Sequence, residues 1–156
     1  MRITKLSKKQ KCLMKWAFME DTRNQFKAIV CDGAVRSGKT VCMVTAFLLW
    51  AQRYFDGQNF GICGKTVASA ERNIILPAQD SDDLRAFFKL AYRKSDHVLV
   101  VKGNGHENRF YVFGGKDESS YSLIQGITLA GVLFDEVALM PKSFVDQGIA
   151  RKIGRA

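Results

Sequence analysis

The sequence predicts an α/β fold, a mostly parallel sheet with helices on its faces. Two observations carry this. Short apolar, β-rich runs alternate with longer stretches that lack Gly and Pro, the pattern of strand–helix units. Two of those runs end in turn or acidic residues, Asp32-Gly33 and Asp135-Glu136, where strands of such sheets deliver functional groups.

In chain order, the first 20 residues read as a basic amphipathic helix. Ser7 stands as its N-cap and Gln10, three residues on, completes a possible capping box, with Leu6, Leu13, Met14, Ala17 and Phe18 on the apolar side. Residues 26–31 (Phe-Lys-Ala-Ile-Val-Cys) read as a buried strand, followed by a Gly-rich loop and a buried helix from Lys39 to about Tyr54. Asn59 to Cys63 is a second strand, closed by Gly64. Thr66 to Leu76 is predicted helical, stopping before Pro77. Ser81-Asp82-Asp83 supplies an N-cap and an acidic first turn for a helix to about Lys94. His97 to Lys102 and Arg109 to Phe113 form a hairpin with a longish loop through Gly103-Asn104-Gly105, and Leu129 to Phe134 is a further buried strand. The chain divides into an N-terminal helical segment over 1–25 and a core over 26–156.

Composition agrees with a single globular domain. The chain has 156 residues, 47% hydrophobic and 25% charged, which excludes collagen, coiled-coil and disordered classes. Lys and Arg number 24 against 15 Asp and Glu, a net charge of +9 that favours a polyanionic partner. The longest apolar stretch, Val41 to Ala51, is too short for a membrane span of about 20 residues, and no signal peptide is legible. Cys12, Cys31, Cys42 and Cys63 form no CxxC pair, which suits a reduced cytosolic compartment.

Residues Gly33, Ala34, Val35, Arg36, Ser37, Gly38, Lys39 and Thr40 match the phosphate-loop pattern G-x-x-x-x-G-K-[ST]. The predicted strand before it and helix after it are the required setting. Glycines let backbone N–H groups curl around phosphate oxygens at a helix N-terminus. Lys39 would reach the β- and γ-phosphates of ATP, and the Thr40 hydroxyl would ligate Mg²⁺. Gly64-Lys65-Thr66 repeats part of the pattern, but Asn59 stands where its first Gly belongs, so it reads as a strand-to-helix turn.

Val132-Leu133-Phe134-Asp135-Glu136 supplies the acidic half. An apolar strand ending in Asp135 places that acid at the ligand rim, to hold Mg²⁺, and Glu136 next to it can polarise an attacking water. The other acidic pairs (Glu20-Asp21, Asp82-Asp83, Asp117-Glu118) lack a preceding apolar strand and read as caps and solvated turns. Arg36, inside the loop, is placed either to compensate transition-state charge or to face solvent. Gln10 is placed either to read an adenine edge or to serve its capping box. Together the two motifs predict an ATPase with a P-loop NTPase core of the RecA-like, additional-strand, catalytic-glutamate type.

Residues 31–41, 113–120, 124–131 and 132–141, with Leu6-Ser7-Lys8-Lys9-Gln10 as an adenine-contacting motif, resemble the ATPase half of tailed-phage terminase large subunits over about residues 4–150. The resemblance implies a motor that hydrolyses ATP with Mg²⁺ to drive viral double-stranded DNA into a procapsid. It implies Gln10 on adenine, 33–40 on the triphosphate, Arg36 as the in-loop arginine, Asp135 as the metal acid and Glu136 as the catalytic glutamate. It also implies a terminase small subunit and a portal ring as partners, a possible homo-oligomer, and action in the cytoplasm of a bacterial host as a phage or prophage product. Members of that family continue with a coupling motif and a ribonuclease-H-like nuclease domain. Here 20 residues follow Glu136, so the expectation is an N-terminal portion, its sheet incomplete at the C-terminal side, without nuclease activity. Two other readings compete. One is a non-catalytic remnant that binds nucleotide or DNA. The other is a RecA-like domain of a DExx-box helicase, from Asp135-Glu136-Val137-Ala138.

Overall fold

The computed structural model describes residues 5–19, 28–31 and 38–150. The predicted α/β class is what forms. Helix α1 (Lys8–Trp16) is followed by α2 (Lys39–Tyr54), strand β1 (Asn59–Gly64), helix α3 (Val67–Ala70), a π-helical turn (Glu71–Ile75) and α4 (Leu76–Gln79). Then come α5 (Asp82–Phe87), β2 (Lys89–Arg93), β3 (Val98–Gly103), β4 (His106–Gly114), α6 (Glu118–Gln125), β5 (Gly131–Phe134), a 3₁₀ turn (Val137–Leu139) and α7 (Lys142–Ala150).

The five strands form one mixed sheet in the order β2-β3-β4-β1-β5. β1 runs parallel to β4 and β5, whereas β2-β3-β4 is an antiparallel meander. The parallel part therefore has its three C-terminal ends on one rim. Side-chain alternation sends Phe60, Ile62, Leu99, Val101, Phe110 and Leu133 to one face, where α2 lays Val44, Phe47, Leu48 and Ala51 on them. Phe60 and Phe110 stack at 4.9 Å and Phe47 meets both edge-on, so α2 docks on an aromatic platform. The opposite face buries Cys63 and Phe113 under Ile124 of α6, Leu129, Met140 and Phe144 of α7.

α2 spans the predicted bounds, and its far end is held by buried polar groups. Gln52 and Asn108 are both fully buried. Gln52 Nε2 donates to the Val101 carbonyl at 2.6 Å, and Asn108 Nδ2 donates to Gln52 Oε1 and to the Phe55 carbonyl. Asn108 Oδ1 accepts from the Gln58 N–H at 2.9 Å. His106 Nδ1 lies 2.7 Å from the Gln52 carbonyl, one of the last of the helix; a carbonyl only accepts, so the proton sits on Nδ1.

Several expected boundaries shift. Residues 26 and 27 lie outside the described ones, but 28–31 form no strand and Val30 is 86% exposed. An apolar run has strand propensity, yet a strand exists only where a ladder neighbour accepts it, and 28–31 has none among the described residues. The helix expected to end before Pro77 passes through it to Gln79. The Leu76 N–H reaches back to the Glu71 carbonyl, so the register change falls where Pro77 lacks an N–H, within the first turn of α4. The helix expected to reach Lys94 stops at Phe87, because Lys89-Leu90-Ala91-Tyr92-Arg93 alternates with period 2 and pairs with β3. The β3–β4 connection is tighter than expected. Gly103 pairs with His106, leaving Asn104 (φ 55°) and Gly105 (φ 74°) as a two-residue loop with both residues left-handed.

Candidate functional site

The site forms on the rim where β1, β4 and β5 end. The β5 ladder continues one residue past the strand, since the Asp135 N–H donates to the Cys63 carbonyl at 2.9 Å. That bond fixes Asp135 beside the end of β1. Glu136 then turns with φ 55° and ψ 47°, a left-handed conformation uncommon for a residue with a Cβ, and stands exposed ahead of the 3₁₀ turn. Such local strain persists only where neighbouring structure imposes it. Here the β5 ladder on one side and the 3₁₀ turn on the other do so.

Facing this acidic pair is the start of α2. Gly38 is its N-cap in a left-handed conformation (φ 73°) and makes no side-chain cap. Lys39 and Thr40 open the helix, so its first N–H groups and positive dipole end lie at the rim. The Thr40 hydroxyl donates to Asp135 Oδ1 at 3.1 Å across 95 positions of sequence. The two predicted motifs thus meet in space. A hydroxyl and a carboxylate oxygen brought together in this way are the hard-oxygen pair that suits Mg²⁺, and both side chains are only partly buried.

Gln10 approaches the same end. Its Oε1 accepts from the Ser7 N–H at 2.8 Å while its own N–H donates to Ser7 Oγ, so the capping box is formed. A methyl group at Gly38 would lie 3.2 Å from Gln10 Nε2, which places the amide against the helix start. α1 is held there by Trp16 against Trp50 (6.0 Å) and by the Arg53 guanidinium over Phe18 (5.4 Å). Of the other predicted site residues, Gly33, Ala34, Val35, Arg36 and Ser37 lie outside the described residues.

Cysteines line this region without pairing. Burial raises the Cys31 thiol pKa, with the Lys39 charge pulling the other way, and burial likewise raises Cys42. All four cysteines are free, and Cys42 and Cys63 are buried as small hydrophobes.

The partial repeat Gly64-Lys65-Thr66 is a strand-to-helix turn. Thr66 and Ser69 form a capping box for α3, and a Cβ at Gly64 would come within 2.8 Å of the Ala70 methyl. Asp117 acts structurally, its Oδ2 accepting from the Val67 N–H at 2.8 Å, and Asp82-Asp83 occupy the first turn of α5 behind Ser81. Sequence reasoning missed two arrangements. One is the trio Glu71, Tyr92 and His97, joined through Glu71 Oε1. The other is a set of cations on the outer face of β2–β4, and the period-2 alternation of 89–93 was the signal for it.

No protein-family model and no curated protein matches the sequence. Solved structures do match. The large terminase from a thermophilic bacteriophage is 43% identical, with a TM-score of 0.90 over 97% of this chain and 37% of that one. The same terminase in complex with ADP is 42% identical with a TM-score of 0.86, covering 96% of this chain and 36% of that one. The large terminase ATPase domain of Thermus phage P74-26 is 17% identical with a TM-score of 0.56 over 74% of this chain and 50% of that one, a likeness of fold alone. The chain thus spans little more than a third of the length of the thermophilic-phage terminase. Over nearly its whole length the chain is thus similar to part of the thermophilic-phage large terminase, and its fold is that of the terminase ATPase domain.

Proposed function

We propose that this chain binds and hydrolyses ATP as the ATPase part of a phage DNA-packaging motor. The observation that carries the reading is the Thr40–Asp135 hydrogen bond, which joins the phosphate-loop threonine to the acid at the end of β5. The thermophilic-phage terminase, 39% identical in this form, has been solved in complex with ATP-gamma-S, which supports nucleotide binding by this chain.

In this reading the backbone of 33–38 cradles the phosphates and the Lys39 ammonium neutralises the β- and γ-oxygens. Thr40 Oγ1 and Asp135 would hold Mg²⁺, which would supply positive charge to offset that of the triphosphate. Glu136 accepts a proton from the attacking water. Arg36 compensates transition-state charge from within the loop, and Gln10 turns its amide to adenine. Duplex DNA, a terminase small subunit and a portal ring are the partners that a packaging role requires. The site of action is the bacterial host cytoplasm; among the described residues no helix is long and apolar enough to cross a membrane.

The roles separate by substitution. Glu136→Gln keeps shape and metal ligation but removes the base, so ATP binding persists while hydrolysis falls about 10²–10⁴-fold. Asp135→Asn weakens Mg²⁺-dependent binding as well. An active parent whose Glu136→Gln variant hydrolyses at the parental rate would assign water activation to another residue.

A further inference from the structure

Away from the nucleotide rim, the sheet has a second open surface. One face of β2-β3-β4 is buried through Leu90, Tyr92, Leu99, Val101 and Phe110. On the other face α6 and α7 cover the β4-β1-β5 side and leave the outer part of β2 and β3 to solvent. Alternation and register place Lys89 and Arg93 of β2, Lys102 of β3 and Arg109 of β4 on that exposed face, around Ala91 and Val100. Four residues of strand separate Lys89 from Arg93 by about 13 Å, and β2 to β4 spans about 10 Å.

Folding does not account for this arrangement. Lys89 sits directly opposite Lys102 in the ladder, and like charges so placed destabilise a sheet. The acids nearby offset only part of the charge. Glu107 pairs with Lys102 and Asp96 with Arg93, both at 2.7 Å and both about half exposed. Exposed pairs of this kind contribute little and exchange readily for another anion. Among the described residues neither Lys89 nor Arg109 is in an ion pair. A flat surface with small residues at its centre and long cations around it suits a sugar-phosphate strand, and it presents no element that could enter a groove and read bases.

We propose that the open face of β2-β3-β4 is a contact surface for the backbone of duplex DNA, held by Lys89, Arg93, Lys102 and Arg109. The choice of duplex DNA as the polyanion rests on the packaging reading; the charge pattern itself does not depend on it. Contacts of this kind are sequence-tolerant and release counterions, so affinity falls steeply with salt.

A control of equal charge exists within the chain. α1 and its start carry Lys8, Lys9, Lys11 and Lys15, all exposed. Binding of a fluorescent duplex of arbitrary sequence is measured from about 50 to 200 mM salt for three proteins. These are the parent, a sheet-face variant (Lys89→Ala, Arg93→Ala, Lys102→Ala, Arg109→Ala) and an α1 variant (Lys8→Ala, Lys9→Ala, Lys11→Ala, Lys15→Ala). The sheet-face variant is expected to lose more than tenfold in affinity, with its log–log salt slope shallower by about 2–4, since each phosphate contact contributes about 0.9. The α1 variant is expected to keep the parental slope. Urea unfolding curves verify that each variant is folded, and binding of a fluorescent ATP analogue is measured on the parent. Should the fourfold sheet variant fail to fold, Lys89→Gln and Arg109→Gln singly are each expected to reduce the slope by about 1.

Equal losses in both fourfold variants would mean that net charge alone binds DNA, and the proposal fails. A loss confined to the α1 variant moves the site to that helix. A parent that binds the ATP analogue but no duplex overturns this surface and leaves the nucleotide reading intact. A parent that binds duplex but no nucleotide does the reverse.

Discussion

Replacing Asn108 by alanine tests how α2 is anchored, and with it what holds Thr40 against Asp135. The Asn108 amide is fully buried and serves four partners on the far end of α2 and the loop after it, the Ala51 carbonyl most distantly at 3.5 Å. Alanine would leave Gln52 Oε1 without its donor inside the core and free the Phe55 carbonyl and the Gln58 N–H nearer the surface. An orphaned buried polar group costs about 1–3 kcal/mol. Taking the upper part of that range for Gln52 Oε1 and the lower for the two groups that water can approach gives about 3 kcal/mol or more. For a chain of this size that lowers the melting temperature by roughly 6–12 °C. The assay is urea and thermal unfolding of the parent, Asn108→Ala, Gln52→Leu and the double variant. Because apolar replacement of both partners spares the orphan, the double variant is expected to lose at least 1 kcal/mol less than the sum of the singles. Strict additivity, or a loss below about 1 kcal/mol for Asn108→Ala, would refute the buried network as the anchor.

Two further outcomes follow from the structure. The Tyr92 phenol donates to Glu71 beside His97, and burial followed by that hydrogen bond raises its pKa above the ordinary tyrosine value. A raised folded-state pKa means stability that is fully present below about pH 10, the unfolded tyrosine value, and lost as pH rises above it. Tyr92→Phe should therefore lower the urea midpoint at pH 7 and flatten its decline above pH 10, and an unchanged alkaline decline would assign it to another group. Gly105 occupies the second left-handed position of the β3–β4 turn (φ 74°), so Gly105→Ala should destabilise by about 1–2 kcal/mol in thermal unfolding despite open space around it. A neutral result there would mean the turn has a second accessible conformation.

Much of the fold was legible because its strongest signals are local. The bounds of α2 follow from sixteen residues without Gly or Pro after Gly38, and the Ser7–Gln10 box and the Ser81 cap form as their spacing predicts. Asp135 at the end of an apolar run marked the rim of the sheet. What failed was decided by non-local pairing. Residues 88–94 have no helix breaker, yet the β3 ladder captured 89–93 with Leu90 and Tyr92 turned into the core. Residues 28–31 are apolar enough for a strand but find no ladder neighbour among the described residues. Pro77 looked like a stop, and the π turn before it absorbed the missing N–H. Gln52 lies inside an apolar helix and nothing local announces that Asn108 will meet it.

Lys39 is the residue whose change bears most directly on the nucleotide site. Its ammonium, at the first position of α2, is the charge assigned to the β- and γ-phosphates. Titration of a fluorescent ATP analogue in the presence of Mg²⁺, with unfolding curves to confirm the fold, compares the parent with Lys39→Ala. The parent is expected to bind saturably and with Mg²⁺ dependence, and the variant at least tenfold more weakly, about 1.4 kcal/mol or more. Equal binding by the two proteins would contradict the assignment of this loop as the triphosphate site.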